Sequence, residues 1–126
     1  MWADFNTLTL AVEGYPDRYS YLPGEEVAFH CSARTNRYSV EITRVGQNRE
    51  LVWRREGIPG QQYPTPADAS ANGCGWPVAF TVRIPDTWRS GFYEVLLRGE
   101  GVQGPEAISH AFFVVRAANP GRDTSI

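Results

Sequence analysis

Residues 77–99 read PVAFTVRIPDTWRSGFYEVLLRG. Val78, Phe80, Val82 and Ile84 alternate with Ala79, Thr81 and Arg83, the two-residue period of a half-buried strand. Pro85 has no backbone N–H to give a ladder and closes that strand, and Ser90-Gly91 turns the chain into the next. There Tyr93, Val95 and Leu97 alternate with Glu94 and Arg98. The stretch predicts two antiparallel strands joined by a corner, at the centre of an all-β domain against whose apolar faces the other strands must pack.

Working outward, the same alternation recurs. TLTLAVE at 7–13 gives a first strand, and Gly14-Tyr15-Pro16-Asp17 reads as a turn. Residues 19–22 add an edge strand before Pro23-Gly24, where proline pre-sets φ and glycine accepts a positive one. Strands follow at 26–33, with Val27, Phe29, Cys31 and Ala33 on one face, at 38–46 with Val40 and Ile42 inward, and at 50–54 with Leu51 and Trp53 on one side. Residues 57–76 show no sustained periodicity and predict a long loop, with Tyr63 and Trp76 available to pin it. The last strand, 108–116, is apolar on both faces: Ile108, Phe112 and Val114 on one, Ala111, Phe113 and Val115 on the other. Seven strands besides the edge piece at 19–22, and no helical period, predict a two-sheet antiparallel β-sandwich of immunoglobulin or fibronectin III-like type over residues 1–117. The Pro-Gly-containing residues 118–126 read as a linker into a following domain.

At 126 residues the chain suits one domain with a core of its own. A net charge of −2 and scattered arginines leave no electrostatic footprint for nucleic acid, so none is expected as a partner. Neither a signal-peptide pattern at the N-terminus nor an apolar run of membrane-spanning length is present, which predicts a cytoplasmic protein with no membrane partner.

Catalytic patterns are absent from the sequence. His30 and His110 lie far apart, and no His or Cys pair has the short spacing of a zinc module, so no metal or other cofactor is expected. There is no Gly-x-Ser-x-Gly elbow, Ser90 reads as a turn residue, and Glu25 and Glu26 point to opposite faces of a strand. Gly101 to Gly104 precede no helix and make no phosphate loop. Cys31 reads as a small buried hydrophobe and Cys74 as a loop thiol, and no disulfide between them is expected; the alternative is a Cys31–Cys74 bridge. The sequence therefore assigns no catalytic, cofactor-binding or metal residue.

What remains are aromatics. Trp53, Tyr63, Trp76 and Trp88 lie near loops or strand ends, where they could stack on sugar rings or seat a neighbouring domain, and Phe112 and Phe113 occupy opposite faces of the final strand. A single two-sheet sandwich has one interior, so one of those two faces must meet something outside the core. The long loop, a neighbouring domain or a second copy of the chain are the expected occupants, which makes self-association through the final strand an expectation.

Three segments carry a resemblance: GYPDRYSYLPGEEVAFHCSA at 14–33, CGWPVAFTVRIPDTWRSGFYEVLLRG at 74–99 and AFFVVRAANPGRDTSI at 111–126. Together they resemble the β-sandwich region of N,N-dimethylformamidase large-subunit-like proteins. The resemblance implies an immunoglobulin-like accessory domain that packs on and positions a larger α/β domain, with the iron site and amide-hydrolysing chemistry in that neighbour. No tyrosine or glutamate of this sequence matches a metal ligand of the family. A free-standing carbohydrate-binding module is the competing expectation.

Overall fold

The computed structural model describes residues 10–63 and 75–117. Its strands are β1 (Val12–Pro16), β2 (Ser20–Tyr21), β3 (Glu26–Ala33), β4 (Arg37–Val45), β5 (Arg49–Pro59), β6 (Val78–Arg83), β7 (Gly91–Gly99) and β8 (Ile108–Val115), with one short 3-10 turn at Pro105–Ala107. They form a two-layer β-sandwich: a three-stranded sheet ordered β1-β3-β6 faces a five-stranded sheet ordered β2-β8-β7-β4-β5. All pairings are antiparallel except β2 with β8, which run parallel. The first strand thus begins in one sheet and continues, after Asp17, into the other.

Four expectations need correction. The first strand lies at Val12–Pro16, so Gly14-Tyr15-Pro16 is strand and not turn; residues 7–9 of the expected strand lie outside the described residues. Glycine is needed at 14 because β1 crosses the core closely: a Cβ there would meet Cys31 Sγ at 2.7 Å and Leu97 Cδ1 of the opposite sheet at 3.1 Å. Second, β5 runs on to Pro59, so the loop begins later than expected. Third, the expected central pair does not pair. The corner after Pro85 carries the chain from β6, an edge of the small sheet, across to β7, which lies between β4 and β8 in the large one. Fourth, Val78 is exposed, because the β3–β6 register shifts between Phe29 and His30 and leaves it beyond the inward row.

The interior is a continuous chain of rings. Trp88 stacks on Tyr93 at 5.3 Å, Tyr93 on Phe113 at 5.4 Å, Phe113 meets Phe29 edge-on at 6.3 Å, Phe29 stacks on Phe80 at 5.0 Å and Phe80 on Trp53 at 6.0 Å. Such pairs add about 0.5–1.5 kcal/mol each beyond the area they bury. Val27, Val40, Ile42, Val95 and Leu97 fill the space between them. Trp53 and Phe80 close the open side between the edge strands β5 and β6.

Two polar devices fix the chain path. Asp17 Oδ1 accepts from the Tyr21 hydroxyl at 2.6 Å and from the Ala28 amide at 3.0 Å, tying the β1–β2 crossover to β3. At the β6–β7 corner the Tyr93 hydroxyl donates to the Arg89 carbonyl four residues back, as in the tyrosine corner of immunoglobulin-type sandwiches. Arg44 Nη2 donates to the Ser90 carbonyl at 2.8 Å. Gly91 passes beneath that guanidinium with φ +147, a conformation in which a side chain would be strained and would crowd Arg44. No helix among the described residues is long and apolar enough to cross a membrane.

Candidate functional site

Alternation along β7 and β8 puts every second side chain on the outer face of the five-stranded sheet. The odd-numbered partners Tyr93, Val95, Ala111, Phe113 and Val115 turn inward and are buried. The even-numbered ones turn outward, and at the Gly91–Val115 end they are apolar: Phe92 is 43% exposed, Phe112 41% and Val114 37%. Phe92 lies across the ladder from Val114 and stacks on Phe112 with ring centroids 5.1 Å apart. Val45, the partner of Phe92 on β4, extends the patch. Large apolar side chains clustered on the outside of a sheet mark an interaction surface more often than singly scattered ones do.

Beside the patch the face is ionic, although Leu96, Ile108 and Leu51 also lie on the outer side. Glu94, between Phe92 and the middle of the sheet, is bonded by the Arg49 guanidinium and lies 2.9 Å from His110 Nδ1. Burial raises its pKa, but the hydrogen bond and charge of Arg49, with the His110 contact, outweigh that and hold the carboxyl below its ordinary range. Further toward the edge strand, Arg54 pairs with Glu41 at 3.6 Å and with Glu56. Charges along β5 discourage strand addition at that exposed edge. The exposed Phe92, Phe112 and Val114 thus cluster at the Gly91–Val115 end of the sheet.

The candidate contact residues fall into different classes. Phe113 is in the core at 1% exposure, whereas Phe112 is on the surface. Trp76 is 5% exposed, with Tyr15 at 5.8 Å and its carbonyl 2.7 Å from His30 Nδ1. Tyr63 is tied to Ser32, its amide donating to the hydroxyl at 2.8 Å. These two residues therefore pin the flanks of the long loop onto the outer face of the small sheet. Trp88 is 8% exposed with its ring on Tyr93, and Trp53 is partly buried with its ring on Phe80. Each of these three indoles has a ring contact within the fold, Trp76 with Tyr15, Trp88 with Tyr93 and Trp53 with Phe80. Trp2 lies outside the described residues. Sequence reading missed Phe92, the stacking partner of Phe112, although its even position on β7 is the signal that finds it.

No group of three or more His, Cys, Asp and Glu among the described residues is arranged to hold a metal ion. Cys31 is a free, buried thiol, and burial pushes its pKa up to about 11. Cys74 lies outside the described residues. A thiol that stays protonated and buried is a poor nucleophile.

The comparison with known families decides the rest. Residues 39–125 match the family model described as N,N-dimethylformamidase beta subunit-like, C-terminal. The chain belongs to this family. A search of curated proteins finds none that matches the chain. Within this dimethylformamidase-like sandwich the match runs from β4 through β8, so it contains the whole outer apolar patch and the tyrosine corner. Strands β1 to β3 lie outside the matched stretch, yet they supply Val12, Tyr21 and Phe29 to the same core.

Proposed function

We propose that this chain is a non-catalytic, immunoglobulin-like accessory domain of a larger dimethylformamidase-like amide hydrolase. It docks on the catalytic domain of that protein through the outer face of the five-stranded sheet and holds that domain in place. The observation that carries this reading is the exposed Phe92–Phe112 stack with Val114, at the end of β8. Val115, at the end of β8, pairs with Gly91 next to this patch. A domain covalently joined to this one meets such a patch at a raised effective concentration. The family match, to a domain of a dimethylformamidase subunit-like protein, supports the same parent.

Docking of a domain is the occupant proposed here, and a second copy of the chain is the alternative that experiment separates. Sedimentation of the larger protein should show no dimer that depends on Phe112. A dimer dissolved by Phe112→Ser would assign the face to self-association instead. The non-catalytic part is tested by an amide-hydrolysis assay of this chain with iron supplied. No turnover above buffer is expected, and measurable turnover would overturn it.

A further inference from the structure

Next to the apolar patch, around the end of the sandwich, lies a cleft of about 620 Å³ lined by Arg44, Gln47, Asn48, Arg49, Glu50 and Arg89. A second cleft of about 370 Å³ shares Arg44, Glu50 and Arg89 with it and reaches Thr87, Trp88 and Tyr93. Both lie between the β4–β5 turn and the β6–β7 corner. The first of them reaches the outer face through Arg49, which bonds Glu94 there.

Three arginines and one glutamate line the first cleft. Arg49 is already neutralised by Glu94, which leaves Arg44 and Arg89 against Glu50. The Arg44 guanidinium donates to the Ser90 carbonyl and lies over Gly91, and its Nε is buried with no acceptor among the described residues. Arg89 is exposed and forms no ion pair among the described residues. A guanidinium anchored by the Ser90 carbonyl, beside an exposed one, suits a planar carboxylate better than a neutral group.

We infer that the surface docked on this domain carries a carboxylate side chain that enters the cleft between Arg44 and Arg89 while its apolar part covers Phe92 and Phe112. This rests on the docking reading and adds the chemistry of the partner: an apolar patch flanked by an acidic residue. The apolar half supplies contact area and the arginine half fixes orientation, since charge complementarity sets register more than affinity.

The probe is glutarate, a free analogue of a glutamate side chain, titrated at constant ionic strength into the ¹⁵N-labelled chain and followed by NMR. Saturable shifts are expected at the Arg44 Nε–H, the Asn48 amide and the Trp88 indole N–H. Arg89→Glu should reduce the affinity about two- to fivefold, given what one exposed ion pair contributes. Shifts reproduced by sodium chloride, absent shifts, or an unchanged response in Arg89→Glu would each overturn the carboxylate assignment. The docking reading is tested separately, because its readout is the response of the larger protein to Phe112→Ser, a residue outside the cleft.

Discussion

The hydroxyl of Tyr93 hooks the carbonyl of Arg89 at 2.5 Å across the corner where the chain leaves one sheet and enters the other. The ring of the same residue lies in the core between Trp88 and Phe113. Tyr93→Phe keeps the ring contacts and removes one hydrogen bond. It should lower stability by about 0.5–1.5 kcal/mol, read from urea unfolding with an unchanged slope. A change smaller than experimental error would show that the corner is held by Arg44 and packing alone.

The close crossing of β1 over the core makes a sharper prediction. Gly14→Ala places a methyl against Cys31 Sγ and Leu97, so it should cost about 1–3 kcal/mol, the range for overpacking a filled core. Combining it with Cys31→Ala should recover part of that loss. Equal losses with and without Cys31 would move the clash elsewhere.

Acid should weaken the fold through Asp17 and Glu94. Burial raises the Asp17 pKa, but hydrogen bonds from the Tyr21 hydroxyl and the Ala28 amide outweigh it and leave the carboxyl below its ordinary value of 3.8. A carboxyl with a depressed folded pKa contributes stability that is present above its unfolded pKa and is lost as pH falls through the folded one. Stability should therefore hold from neutral pH down to about pH 4 and fall below it. Asp17→Asn should be less stable at neutral pH and show a shallower acid limb. A variant whose acid limb matches the wild type would remove Asp17 from the account.

Cys31 should be silent in the native protein. With its thiol buried and its pKa near 11, it should react with a disulfide reagent only in denaturant, at a rate set by unfolding. Rapid labelling at neutral pH, mapped to Cys31 by mass, would contradict the burial described for it.

The layer architecture was legible because the alternation on β3, β4, β7 and β8 is regular, and the inward rows read from it are the buried rows. Pairing was less legible. The β6–β7 segment reads like a hairpin because both halves alternate around a turn, but Pro85 to Ser90 span the space between the two sheets, a distance that no local pattern encodes. Gly14-Tyr15-Pro16-Asp17 has turn composition, yet its glycine serves a close approach between sheets and its aspartate a hydrogen bond to β3. The outward Phe112 was visible as the surplus apolar face of the last strand. Its partner Phe92 was hidden because the outward row of β7 alternates apolar and charged residues, Phe92, Glu94, Leu96 and Arg98, and so does not stand out as an apolar face. The arginine cleft joins residues more than forty positions apart, such as Arg44 and Arg89, and only the fold brings them together.

The most direct test of the account compares Phe112→Ser and Phe113→Ser by thermal unfolding, in this chain and in the larger protein. In the chain alone, Phe113→Ser should unfold the domain or cost about 3–5 kcal/mol, while Phe112→Ser should change stability by about 0.5 kcal/mol or less. In the larger protein, Phe112→Ser should uncouple the melting of this domain from that of its neighbour. Severe destabilisation of the chain alone by both substitutions, or no effect of Phe112→Ser in the larger protein, would contradict a docking role for the outer face.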